Sequence, residues 1–201
     1  ALAFVLSPYA VYTHGWVGCI ADLLWVGCAL LLALCVQRVQ HVLLAALASA
    51  LLTGIALLAK EAAFAIPPML VLAWWFDGRK AKWLAAALTS GAVAALYLGL
   101  RIDVLLHAPR EGTQYVLSVW HAPLRWLEYQ LFPPILPLQE AITTLQRPLP
   151  LLVAGVLWLG LFAALWQAGR RYAALFLLGG IAALLPVLPL ASAWNHYAYG
   201  F

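Results

Sequence analysis

Three ionisable residues interrupt an otherwise apolar sequence. Asp22 falls inside the apolar run 16–37, and Lys60-Glu61 separates the runs 42–59 and 62–76. A charged side chain in hydrocarbon is costly unless it is paired or faces a wet cavity. A lysine at that depth suits an anionic ligand, because a fixed cation stabilises negative charge strongly where water is excluded. The plainer reading is a mutual ion pair, or snorkelling at a helix end. Arg101 adds a cation where the run 83–100 ends. A fourth group, Trp194-Asn195-His196-Tyr197-Ala198-Tyr199, follows a proline-interrupted apolar stretch. Its hydrogen-bonding side chains, His196, Tyr197 and Tyr199 among them, suit a sugar or a phosphate. Tyr and Trp also serve as ordinary anchors at a membrane interface.

Depth follows from counting. Asp22 lies six residues into a run beginning near Trp16, or roughly 9 Å along a helix axis. Positions 42 to 76 provide 35 residues for a hairpin, whereas two full crossings need about 40. Its apex, Lys60-Glu61, is therefore expected near the hydrocarbon boundary. Pro67-Pro68 should distort the returning helix. Asp22 and Lys60 are expected to face the same cavity.

Helices must position these residues. Of the 201 residues, 66% are apolar or aromatic and 9% are charged. An ordinary soluble domain is nearer half apolar and a quarter charged. This composition excludes a soluble enzyme, a disordered chain and a nucleic-acid module. The apolar runs are continuous rather than alternating and so give no β-barrel signal. The expected fold is all-α: a polytopic transmembrane bundle with about six spans, over 16–37, 42–59, 62–76, 83–100, 149–168 and 172–190, plus a partial span at the start. Residues 1–201 read as one partial transmembrane domain. Its stretch 101–148 reads as an external or interfacial connection, with a broken span that would invert the last two helices as the alternative, and helix stops at Pro133, Pro134 and Pro137. The chain reads as an internal piece of a longer protein.

Basic residues orient the spans. Arg38, Arg79, Lys80, Lys82, Arg170 and Arg171 fall in alternate connections, which the positive-inside rule places in the cytoplasm. The net charge of +4 is then mainly topology. Trp74, Trp75, Trp83 and Trp166 flank these connections as an aromatic belt would. Cys19, Cys28 and Cys35 have no metal-ligand or disulfide spacing and read as free thiols. The sequence has no glycine-rich phosphate loop, no HExxH and no Ser–His–Asp pattern, and its five histidines are scattered.

Three landmarks occur in order. SPYAVYTHGWVGCIADLLW resembles the HPxHxExVxxxxGRxDLL stretch of polytopic glycosyltransferases of the GT-C superfamily, with the branch of TPR-linked O-mannosyltransferase-like proteins the nearest in look. LLAKEAAFAIPPMLVL resembles that branch's SKExxxxxPLLLL hairpin, and also the lysine-containing hairpin of aminoarabinose transferases. PVLPLASAWNHYAYGF looks like the RYxYLPS-type segment. The resemblance implies a polyprenyl-phosphate-linked sugar donor and an acceptor, such as a protein, on the extracytoplasmic face. It implies a place in a bacterial inner membrane with the site on the periplasmic side. By matching position, Asp22, Lys60, Glu61, Tyr197 and Tyr199 follow the pattern, while His196 stands where an arginine is common. Ser7 and Ala10 replace the pattern's histidines, Tyr12 its glutamate and Ile20 its arginine. The acidic first-loop motif would lie before Ala1, and a divalent metal is implied only if that loop is acidic. Two other classes stand beside the enzyme: a non-catalytic membrane subunit that grips lipid or partner subunits, and a polyprenyl-lipid carrier. Nucleic acid is not expected as a partner.

Overall fold

Runs of leucine and alanine without internal proline have high helix propensity, and helices follow them. The computed structural model describes residues 20–107, 119–123, 126 and 148–189, and these are helical with no strand among them. In chain order they are α1 (Ile20–Arg38), α2 (Val42–Ala59), a 3-10 segment (Glu61–Ala65), α3 (Ile66–Phe76), α4 (Ala81–His107), a short 3-10 turn (Val119–His121), α5 (Pro148–Ala168) and α6 (Arg170–Leu184). The chain divides into two units, Ala21–Glu111 and Ala1–Ile20 with Gly112–Phe201.

Three helices are long and apolar enough to cross a membrane, over Ile20–Arg38, Val42–Ala59 and Ala81–Ile102. The expected six spans are not supported among the described residues. The segment Glu61–Phe76 and the apolar stretch Gly155–Ala168 are shorter, and α6 has 15 residues before turns replace helix. The 62–76 run fails as a span because its first turn is 3-10 and only 11 residues are α-helical. Pro67 and Pro68 do not kink this helix as expected. They stand in its first turn, where a missing N–H and a fixed φ are tolerated. A 3-10 helix rises about 2.0 Å per residue against 1.5 Å for an α-helix. The shorter return arm therefore reaches nearly as far as α2.

In the first unit, α2 lies against α4 along small residues. Ala45, Ser49, Thr53 and Ala56 are buried on α2, as are Ala86, Ala87, Ser90 and Ala94 on α4. Small side chains let helix backbones approach closely in an apolar solvent. Ser49 donates to the Ala86 carbonyl at 2.7 Å, and the Thr53 and Ser90 hydroxyls meet at 2.9 Å. Both pairs are 37 residues apart, so α2 and α4 run parallel. Trp25, Leu32 and Val36 bring α1 into the same core. The outward faces carry Leu24, Leu31, Leu43, Leu51, Leu88 and Leu96, a surface suited to contact with hydrocarbon.

One pole of this unit gathers the turns after α1 and α3. Lys82, at the start of α4, donates to the carbonyls of Gln37 (2.8 Å) and Val39 (3.0 Å). It thus caps the C-terminal end of α1. The end of α3 is closed by a Schellman arrangement. Asp77 N–H bonds to Ala73, Arg79 N–H bonds back to Trp74, and Gly78 has φ +70°. That conformation is free for glycine but not for a residue with a Cβ. Gly78 has open space where a Cβ would stand, so Gly78→Ala should cost only the backbone penalty, about 1 kcal/mol. Equilibrium unfolding of the variant in mixed micelles measures it. Asp77 accepts from Lys80 at 3.0 Å and from the Trp83 indole at 2.7 Å. These two donors, Lys80 first, hold its carboxyl below the usual carboxylate range.

In the second unit, α5 and α6 are joined through Gly169, which takes φ +152°. A Cβ there would lie 3.3 Å from the Tyr172 ring. Aromatic residues at helical spacing line α5: Trp158 stacks on Phe162 at 5.4 Å, and Phe162 meets Trp166 at 5.9 Å. Phe176 of α6 adds to this cluster, and Arg170 lies over the Trp166 ring.

Candidate functional site

Three of the four helices of the first unit contribute a side chain or an end to its opposite pole. α2 ends at Lys60, whose extended backbone (φ −159°, ψ 140°) breaks the helix while its N–H still bonds to Ala56. Glu61 opens the 3-10 segment. Asp22 falls in the first turn of α1 as described. A carboxylate at a helix start and a cation at a helix end both match the helix dipole. The two helices run in opposite directions, so these two ends adjoin.

Lys60 Nζ donates to Asp22 Oδ2 at 2.6 Å. The pair is asymmetric: the Asp22 side chain is 1% exposed and that of Lys60 is 24% exposed. Asp22 and Lys60 thus meet as a direct ion pair, where the sequence predicts a shared cavity, and Glu61 pairs with Arg101 instead of Lys60. The expected run from Trp16 to Cys19 lies outside the described residues.

Arg101 is not at a helix end. α4 continues to His107, so the stretch 101–148 begins with helix rather than with a connection. Arg101 Nη1 donates to Glu61 Oε1 at 3.0 Å and also donates to the Tyr97 hydroxyl. Its guanidinium lies 5.5 Å from the centre of the Tyr97 ring, and Phe64 meets that ring edge-on at 5.9 Å. Arg101 and Glu61 are 44% and 51% exposed. This pair is open to water or headgroup and is held weakly.

The pole therefore holds two ion pairs, one sealed and one open. Lys60 serves first as the counter-ion of Asp22. Arg101, with its planar fork of donors, is better placed to bind a phosphate or carboxylate. Sequence reasoning missed Tyr97, although it stands one helical turn before Arg101 and such pairs share a face. It also missed the indole of Trp25, one turn after Asp22. Trp25 Nε1 is buried without a hydrogen-bond partner among the described residues. His196, Tyr197 and Tyr199 lie outside the described residues.

Among the described side chains, this pole offers no carboxylate free for a divalent metal. Both of its described carboxylates, Asp22 and Glu61, already bind a cation. Among the described residues no group of three His, Cys, Asp or Glu side chains could hold a metal ion. Cys28 and Cys35 are free thiols.

The described residues are all-helical, with three span-length apolar helices and a pole of paired charges. No family model, curated protein or solved structure matches it.

Proposed function

We propose that this chain is part of an integral-membrane glycosyltransferase of the GT-C type, with the Asp22–Lys60/Glu61–Arg101 pole receiving the phosphate of a polyprenyl-phosphate-linked sugar. The observation that carries this reading is Arg101: an exposed guanidinium, positioned by Tyr97, at the same helix-bundle end as the partly buried Lys60. An incoming phosphate would exchange with Glu61 on Arg101, while Lys60 stays near to stabilise the charge on the leaving phosphate. Trp25 offers an unmatched donor one turn further along α1. The exposed leucines Leu58, Leu96 and Leu100 near the same end would accept the polyprenyl chain. Under this reading the basic pole is cytoplasmic and the paired pole faces the periplasm of a bacterial inner membrane.

The test is binding of polyprenyl phosphate to the full-length protein in nanodiscs. Arg101→Gln should weaken binding by about tenfold or more, the worth of a charged hydrogen bond. Lys60→Ala made in an Asp22→Asn background and compared with Asp22→Asn alone, so that no carboxylate is orphaned, should abolish transfer. Wild-type binding by the Arg101 variant together with full transfer by the Lys60 variant would overturn the reading.

One observation favours a second reading, that of a non-catalytic membrane subunit. Lys60 and Arg101 each already bind a carboxylate, as in a structural lock. An Asp-Asp or Asp-Glu pair in the parent sequence, just after an apolar span upstream of Ala1, would support the enzyme, and its absence the subunit.

A further inference from the structure

The two poles of the first unit differ in charge. Among the described side chains, the paired pole sets two cations against two carboxylates. The other pole holds Arg38, Arg79, Lys80 and Lys82 against the single carboxylate of Asp77. These residues come from two separate turns, and Lys82 fastens one turn to the other through the carbonyls of Gln37 and Val39. The four cations are not equivalent. Lys80 is engaged by Asp77, and Lys82 by the two carbonyls. Arg38, in the last turn of α1, is exposed. Arg79 is exposed as well, and its guanidinium lies 6.0 Å and 5.8 Å from the ring centres of Trp74 and Trp75.

Apolar surface begins directly beside these cations. Trp75 is 61% exposed, and Val42, Leu43 and Leu44 are exposed in the first turn of α2. Val71 on α3 and Leu84 and Leu88 on α4 continue that surface away from the pole. A free phosphate or a nucleic acid would use the cations but not the apolar rows. A molecule with an anionic head and a hydrocarbon tail uses both.

We infer that this pole is a binding surface for anionic phospholipid, with Arg38 and Arg79 contacting the headgroup and Trp75 lying at the level of the glycerol backbone. Arg79 is held for that task by its backbone. It takes a left-handed φ of +58° in the Schellman turn, which directs its side chain over the two tryptophans instead of along α3. The inference stands apart from the sugar-transfer reading, since it involves none of the residues of the opposite pole.

The experiment is native mass spectrometry of the full-length protein released from nanodiscs made of equal parts phosphatidylglycerol and phosphatidylcholine. Nanodiscs present the same lipid to both poles, so the result does not depend on how the chain inserted. Wild type should retain phosphatidylglycerol preferentially. Each arginine near an anionic headgroup contributes about fivefold, so Arg38→Gln with Arg79→Gln should reduce the preference by roughly twentyfold. Arg38→Lys with Arg79→Lys should keep most of it, which separates charge from any damage to the fold. Added inorganic phosphate should not displace the lipid. An unchanged preference in the glutamine variant would overturn the inference, and so would displacement by inorganic phosphate.

Discussion

Lys60→Met is expected to destabilise the protein by about 3–5 kcal/mol, the usual cost of leaving a buried charge without its partner. The argument rests on the asymmetry of the pair. Asp22 is 1% exposed, so once Lys60 is removed its carboxylate has no solvent to turn to. Lys60 is about a quarter exposed, and its long stem can carry the ammonium outward. Asp22→Asn should therefore cost clearly less than Lys60→Met. It also keeps a side chain of the same shape. The double variant, Asp22→Asn with Lys60→Met, should regain most of the loss, because a buried ion pair compared with a neutral pair of similar size is close to break-even. Equilibrium unfolding of the four proteins in mixed micelles gives the double-mutant cycle. If Lys60→Met is as stable as wild type, Asp22 is not sealed by Lys60 and the geometry of the pole is wrong.

The same pair shows what the sequence made legible. Continuous apolar runs give helix positions directly, and the expected 42–59 run matches α2 at both ends. Asp22 and Lys60 stood out because charges are rare in this chain and each lies in or beside an apolar run. Their meeting required one more step, that α1 and α2 run in opposite directions across a short turn. The errors have local causes. The run 62–76 is apolar throughout, so hydropathy alone could not reveal that its first four residues belong to a 3-10 segment. Residues 101–107, RIDVLLH, mix charged and apolar side chains, which obscured the continuation of α4 beyond Arg101. The Ser and Thr residues of the α2–α4 seam carry no charge and were passed over. Their spacing was visible, with small residues at 45, 49, 53 and 56 of one helix, but only a partner helix with the matching set gives that spacing a meaning.

That seam carries the second large effect. Ser90→Leu should cost about 2–4 kcal/mol, combining overpacking of a tight contact with loss of a hydrogen bond. Ser90 is fully buried, and its hydroxyl lies 2.9 Å from that of Thr53. A leucine there must push α2 and α4 apart, and the Thr53 hydroxyl loses its partner in an apolar interior. Separation of the helices also opens the Ser49–Ala86 contact one turn away, so the damage extends along the seam. Ser90→Ala isolates the hydrogen bond, since it removes the hydroxyl without adding volume. It should cost about 1 kcal/mol or less, the usual worth of such bonds between membrane helices. Leu88→Ser, two residues away on the exposed side of α4, controls for the position along the helix and should leave the seam intact. Unfolding of the three variants in mixed micelles orders them. Because Arg101 and Tyr97 lie on the same helix as Ser90, Ser90→Leu should also shift the Glu61–Arg101 contact, which a cysteine pair at 61 and 101 would report as slower crosslinking. A Ser90→Leu protein as stable as Ser90→Ala would mean that α2 and α4 do not pack at this distance.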